Sequence, residues 1–281
     1  MTPREGSPRL LRVSCAQLDG RNGSPEERLR QADEAIRRGA VAARTDGVTD
    51  TLVILPELWP VGFFHFNEYA AAAQTIEGDL VTAVRHAARD AGVWVLGGSF
   101  IERGPKGLHN TTFLVEPDGG LSLTYRKIHL FGHESAEAEL LVPGDEPRCV
   151  DTSWGRVGVM TCYDLRFPEL ARDLMNRGAE MIMVVSAWPA ARIEQWRILL
   201  RARAVENQAW VFAANGAGDD AGVQLGGHSA IVAPDGTVVA EGGTEGQEVT
   251  AVIDAAESAR VRRDLPFLPD RRYTVELMPD S

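Results

Sequence analysis

The run Thr51-Leu52-Val53-Ile54-Leu55 constrains the fold more than any other segment, because it is short, almost wholly apolar and rich in β-branched residues. A strand with one wet face alternates polar and apolar side chains, so this run reads as a strand covered on both faces. Strand signals recur at residues 10–16, 93–100, 156–161 and 181–186. Between them lie helical patterns at 25–43 and 79–91, a helix opening near Pro168, and a long helix at 191–207. The last repeats Ile193, Trp196, Leu200 and Ala204 near helical spacing. Two Pro-Asp-Gly turns, at Pro117-Asp118-Gly119 and Pro234-Asp235-Gly236, each sit between extended segments and predict hairpins. Residues 210–214, the second hairpin and 249–253 are expected to close the sheet. No low-complexity linker or solenoid-length repeat interrupts the pattern. The expectation is one α/β domain over residues 1–281, with stacked sheets covered by helices and a flexible tail at 1–9.

Charge and apolar run length narrow the function classes. With 29 basic and 40 acidic residues the net charge is −11, which disfavours nucleic acid or an anionic membrane as main partner. Basic clusters at Arg260-Val261-Arg262-Arg263 and Arg271-Arg272 stand without interleaved aromatics and read as solvated or structural faces. The longest apolar runs, such as Met181 to Val185, are too short to span a bilayer. Met1 to Arg9 holds no apolar signal-peptide core, so a cytoplasmic location is expected by default. Three widely spaced cysteines, Cys15, Cys149 and Cys162, form no CxxC pair. That speaks against structural zinc and against a disulfide framework, and leaves one of them as a candidate nucleophile.

Cys162 has the most suggestive setting. It ends the apolar strand 157–161 and precedes a helix start at Pro168-Glu169, the kind of junction at which α/β folds expose a side chain. Backbone N–H groups beyond it can face an oxyanion, and both they and the helix start favour thiolate over thiol. A buried core cysteine is the plainer reading, and Cys15 and Cys149 keep it. Glu57, in Leu55-Pro56-Glu57-Leu58, puts a carboxylate where a doubly covered strand ends; it must either turn to solvent or find a partner. Lys127, in Tyr125-Arg126-Lys127-Ile128-His129-Leu130-Phe131, reads alone as a surface lysine. Together the three supply a base, an oxyanion-stabilising cation and a nucleophile. His129 or His133 as a base for the cysteine is a rival arrangement.

These blocks, in this order, resemble the nitrilase (carbon–nitrogen hydrolase) superfamily over nearly the whole chain. The most specific is Cys162-Tyr163-Asp164-Leu165-Arg166-Phe167-Pro168-Glu169-Leu170. The resemblance implies a four-layer αββα sandwich, a Glu57–Lys127–Cys162 triad, no metal and no organic cofactor. It also implies assembly through helices into a homodimer or larger homo-oligomer. The family carries a further glutamate between its lysine and cysteine blocks, for which Glu134, Glu137 and Glu139 compete. Glu137 precedes Gly144 of the Pro143-Gly144-Asp145 turn by the family's usual seven residues and is preferred. The implied reaction is acyl transfer through a thioester, with Lys127 and the Tyr163 N–H holding the oxyanion.

Cys162-Tyr163-Asp164 departs from the Cys-Trp-Glu usual in true nitrilases and points to an amidase. Ser186-Ala187-Trp188-Pro189 and the helix from Trp196 to Gln208 resemble the branch containing ω-amidases, which act on short 2-oxo acid ω-amides. Deaminated-glutathione amidases and N-carbamoyl-amine hydrolases are the alternatives, and a non-catalytic binding protein is the rival from another class. Arg166 and Trp188 are candidate substrate contacts, although Arg166 has a structural alternative in an ion pair with Glu169 or a nearby loop. The aromatic segment Gly62-Phe63-Phe64-His65-Phe66 can line the pocket or simply join the core. Residues 216–227 form either a mobile rim or a long hairpin.

Overall fold

The doubly covered strands expected from the sequence lie at the centre of two six-stranded sheets. The computed structural model describes residues 8–20, 23–46, 48, 50–133 and 135–274. Of the expected tail, residues 1–7 fall outside that set; Arg9 is tied down, its backbone N–H donating to Asp254 and its guanidinium pairing with Glu180.

The first sheet begins with β1 (Leu10–Gln17), β2 (Asp50–Ile54), β3 (Trp94–Gly104), β4 (Gly107–Val115) and β5 (Leu121–Arg126). The second takes β6 (Cys149–Thr152), β7 (Gly155–Thr161), β8 (Met181–Ser186) and β9 (Trp210–Asn215). A small hairpin of β10 (Ala217–Asp220) and β11 (Val223–Gly226) stands apart. The second sheet is then completed by β12 (Ala230–Val232) and β13 (Val238–Glu241). The final strand, β14 (Gln247–Asp254), does not extend that sheet. It crosses back to pair antiparallel with β1, Leu11 facing Ile253, and closes the edge of the first sheet. In each sheet the three middle strands run parallel, β1–β2–β3 and β7–β8–β9. Both Pro-Asp-Gly turns lie in antiparallel hairpins, β4–β5 and β12–β13.

Side-chain alternation makes the four layers. Along β8, Met181, Met183 and Val185 point into the core between the sheets, where they join Leu52 and Ile54 of β2. Ile182 and Val184 point the other way, onto Leu170, Leu174, Trp196 and Leu200 of the outer helices. Val53 and Leu55 likewise pack beneath the helices that cover the first sheet. Those helices are α1 (Pro25–Asp46) and α3 (Asp79–Ala91), with the single-turn α2 (Tyr69–Ala72) between them in sequence. α3 buries Leu80, Val81, Val84, Ala87 and Ala88 on one stripe. It stops at Gly92, whose φ of 69° is left-handed and whose N–H caps Ala88 and Arg89. After the one-turn α4 (Glu137–Leu140), α5 (Pro168–Asn176) and α6 (Ile193–Asn207) cover the second sheet, and α7 (Glu257–Asp264) follows β14. The architecture is the expected αββα sandwich. Among the described residues no helix is long and apolar enough to cross a membrane.

Candidate active site

Cys162 leaves the end of β7 with a φ of 48°, a left-handed conformation costly for a residue with a Cβ. The turn around it is over-determined. Asp164, fully buried, accepts from the Thr161 N–H at 2.9 Å, the His129 N–H at 3.0 Å and the Tyr125 hydroxyl at 2.6 Å, and pairs with His129 Nδ1 at 2.8 Å. Arg203, reaching in from α6, donates twice to the Leu165 carbonyl. His129 is therefore committed to Asp164 and stacked on Phe167 at 3.8 Å, which removes the support for a pair of Cys162 with His129. Asp164→Ala strands several buried donors at once, so unfolding free energy is expected to fall by about 3 kcal/mol or more in a urea titration. A loss below about 1 kcal/mol would show that the turn does not depend on this carboxylate.

Glu57 follows β2 through Pro56, and its carboxylate turns inward rather than to solvent. Its Oε2 accepts from the Ala187 N–H at 2.9 Å, while Oε1 receives Asn110 Nδ2 and Lys127 Nζ, each at 2.9 Å. Lys127, just past β5, also places Nζ 2.9 Å from both oxygens of Glu137, the first residue of α4. Glu137 is held further by the Phe131 N–H at 2.7 Å and by Asn110 at 3.0 Å. The side chains of Glu57, Lys127 and Glu137 are wholly buried. Of the other two glutamates considered, Glu139 is exposed and Glu134 lies outside the described residues. Burial works against the Lys127 charge, but Glu137 and then Glu57 hold the ammonium well above the usual lysine range. Burial likewise raises Glu137, against the pull of Lys127.

The Cys162 thiol lies within electrostatic reach of Glu57 and Lys127. Burial first, and Glu57 second, push the thiol up, and Lys127 only partly offsets them. This corrects the expectation of a favoured thiolate. The segment after Cys162 is a 3-10 turn, Cys162–Arg166, with α5 starting only at Pro168, and desolvation outweighs the field of the helix. Packing thus favours the neutral thiol, with the Glu57 side chain as its neighbour.

Cys162 lines a pocket walled by Phe63, Phe64, Phe131, Tyr163, Arg166, Trp188 and Arg192 among others. Arg166 does not pair with Glu169. Its guanidinium instead stacks over the Trp188 ring at 4.6 Å and lies 5.9 Å from Tyr163. Trp188 is fixed by its backbone N–H to Asn215 at 2.6 Å and by its indole N–H to the Arg192 carbonyl at 2.9 Å. Residues 216–227 contain the β10–β11 hairpin, whose Asp220 accepts from the Phe64 N–H at 3.3 Å and meets His65 at 3.2 Å. The hairpin thus buttresses the aromatic segment.

Asn110, which touches both glutamates, and Arg192 escaped sequence reasoning. Asn110 belongs to a run of four polar-capable residues, His109-Asn110-Thr111-Thr112, inside a buried strand. Such a run needs partners for every group, and that was the available signal. Arg192 carries no motif.

The carbon-nitrogen hydrolase family profile matches residues 12–263. A 2-oxoglutaramate amidase of Paenarthrobacter nicotinovorans is 39% identical over 232 residues, which cover 80% of this chain and 79% of that protein. The 2-oxoglutaramate amidase of Bacillus subtilis (strain 168) is 34% identical over 263 residues, covering 92% and 97%. Among solved structures, a CN-hydrolase superfamily protein of Xanthomonas campestris, with an arsenic adduct in its active site, aligns with a TM-score of 0.83. It is 33% identical, and the match covers 95% of this chain and 99% of that one.

Proposed function

Because the chain belongs to the carbon–nitrogen hydrolase family, we propose that it is a cysteine amidase whose reacting groups are Cys162, Glu57 and Lys127, supported by Glu137, and whose substrate is the ω-amide of a short 2-oxo acid. The observation that carries this reading is the buried Glu57–Lys127–Glu137 cluster lying beside a thiol at the floor of a pocket. Wholly buried charges are expensive unless the fold uses them.

Glu57 takes the proton from Cys162 Sγ as the sulfur attacks the amide carbon. The oxygen becomes an oxyanion facing Lys127 Nζ and the Tyr163 N–H. Glu57 returns the proton to the amide nitrogen, the C–N bond breaks and ammonia departs, leaving a thioester on Cys162. Water then attacks the thioester carbon, giving its proton to Glu57. The C–S bond breaks, the sulfur regains the proton, and the acid leaves. Lys127 keeps its charge throughout, as its two carboxylate neighbours dictate. Glu137 and Asn110 set the position of the lysine and the base.

The names of the two bacterial relatives support the 2-oxo acid ω-amide, and so does the cationic Arg166 resting on Trp188 at the pocket wall. The test is ammonia release from a panel of 2-oxo acid ω-amides, deaminated glutathione, N-carbamoyl amines, aliphatic amides and nitriles. The expected result is preferred hydrolysis of the 2-oxo acid ω-amides. Preference for another amide or for an N-carbamoyl amine would refute the substrate, and turnover of nitriles alone would refute the amidase.

A further inference from the structure

Two guanidinium groups line the pocket over Cys162, and among the described residues neither has a carboxylate partner. Several arginines elsewhere in the chain do: Arg126 meets Glu102 at 2.7 Å, Arg197 meets Glu241 and Arg260 meets Asp254, both at 2.6 Å. Arg166 and Arg192 meet aromatic rings instead. Arg166 stacks on Trp188, and the Arg192 guanidinium lies 5.5 Å from the centre of the Phe131 ring. An aromatic face orients a guanidinium without neutralising it. Arg166 also feels its neighbour: burial and then the charge of Arg192 make the Arg166 proton easier to lose. A like-charge pair on the wall of a largely apolar pocket is unfavourable while the pocket is empty and favourable once an anion enters.

The backbone around Arg192 fixes its place. It ends the 3-10 turn Ala190–Arg192 immediately before α6, and its carbonyl is held by the Trp188 indole. The first free N–H groups of the fifteen-residue α6 add positive potential at the same end. Arg166 comes from the cysteine turn and Arg192 from the helix entry, so the two cations reach the pocket from different elements.

We infer that Arg192 is a specificity-determining residue that, with Arg166, receives the charged end of the substrate opposite the scissile amide. The inference rests on the amidase reading above and adds to it the feature being selected. A 2-oxo acid end presents a carboxylate and an adjacent keto oxygen, giving separate acceptors to two cations. A neutral alkyl amide presents none and leaves both guanidinium groups desolvated.

The test compares the full-length protein with Arg192→Met and Arg192→Lys, using 2-oxoglutaramate and a neutral aliphatic amide of matching length. In Arg192→Met the ratio of kcat/KM for the anionic over the neutral amide is expected to fall about 30-fold, through KM for the anionic substrate rather than kcat. Arg192→Lys, which keeps the charge, should recover most of that ratio. An unchanged ratio, or equal loss on both amides, would overturn the assignment. If the unmodified protein hydrolyses no amide, the amidase reading fails by itself. Arg192 is then judged by calorimetric titration of 2-oxoglutarate into Cys162→Ala with and without Arg192→Met. Binding at least 10-fold weaker without the guanidinium supports the anion-receiving role; equal affinity, or no binding to either protein, overturns it.

Discussion

Lys127→Met is expected to destabilise the protein by about 3–5 kcal/mol, because it leaves two buried carboxylates without the cation between them. The ammonium makes 2.9 Å contacts with Glu57 and with both oxygens of Glu137. Without it, Asn110 and single backbone donors are what hold those charges. One of the carboxylates must then take up a proton, and Glu137, already raised by burial, is the one placed to do so. Two readouts follow. Unfolding in guanidinium should show the loss, and the variant should regain stability as pH falls, since protonation relieves the unpaired charge. Adding Glu137→Gln should restore part of the stability without restoring turnover, because the oxyanion still lacks its cation. A Lys127→Met protein as stable as the parent would mean that the cluster is not ionised as described.

Cys162→Ala carries the largest expected kinetic effect. Removing the nucleophile of a covalent mechanism typically costs about 10⁴–10⁶-fold in turnover, and ammonia release should fall to the level of the uncatalysed control. Stability should scarcely change. Alanine at φ 48° pays the same backbone cost as cysteine, and the substitution removes a single sulfur atom from a buried side chain. Thermal unfolding near that of the parent, together with lost turnover, is the expected pair of results. Retained turnover would require a different nucleophile, and neither Cys15 nor Cys149 is placed for it: Cys15 is sealed in the inter-sheet core and Cys149 sits on an edge strand.

Much of the fold was legible because local pattern and burial agree. Residues 79–91 carry one apolar stripe ending at a glycine, and the helix occupies that span. The run 181–185 is continuously apolar, and both of its faces are covered. The sheet to which 247–254 belongs was not legible, since strand pairing between residues 11 and 253 leaves no local trace. In the site, Glu57, Lys127 and Cys162 were marked by their blocks, and Glu137 by its distance to a turn. The direction of the thiol shift was not. It depends on how deeply the thiol is packed, which belongs to the tertiary structure and not to the strand-to-helix pattern that suggested a thiolate. For Arg166 two readings stood open: an ion pair with Glu169 suits the sequence spacing, but the turn aims the guanidinium at the Trp188 ring.

The reacting groups ride on different sheets, Glu57 and Lys127 on the first and Cys162 on the second. Their separation is therefore a sheet-to-sheet dimension. It is pinned at the site by the buried Thr112–Thr161 contact of 3.0 Å and the Tyr125–Asp164 bond, and propped elsewhere by side chains such as Ile54, Met183 and the edge-on Trp94–Trp154 pair. The hydrophobic filling thus works as a gauge block, its thickness setting how far apart the two halves of the site stand.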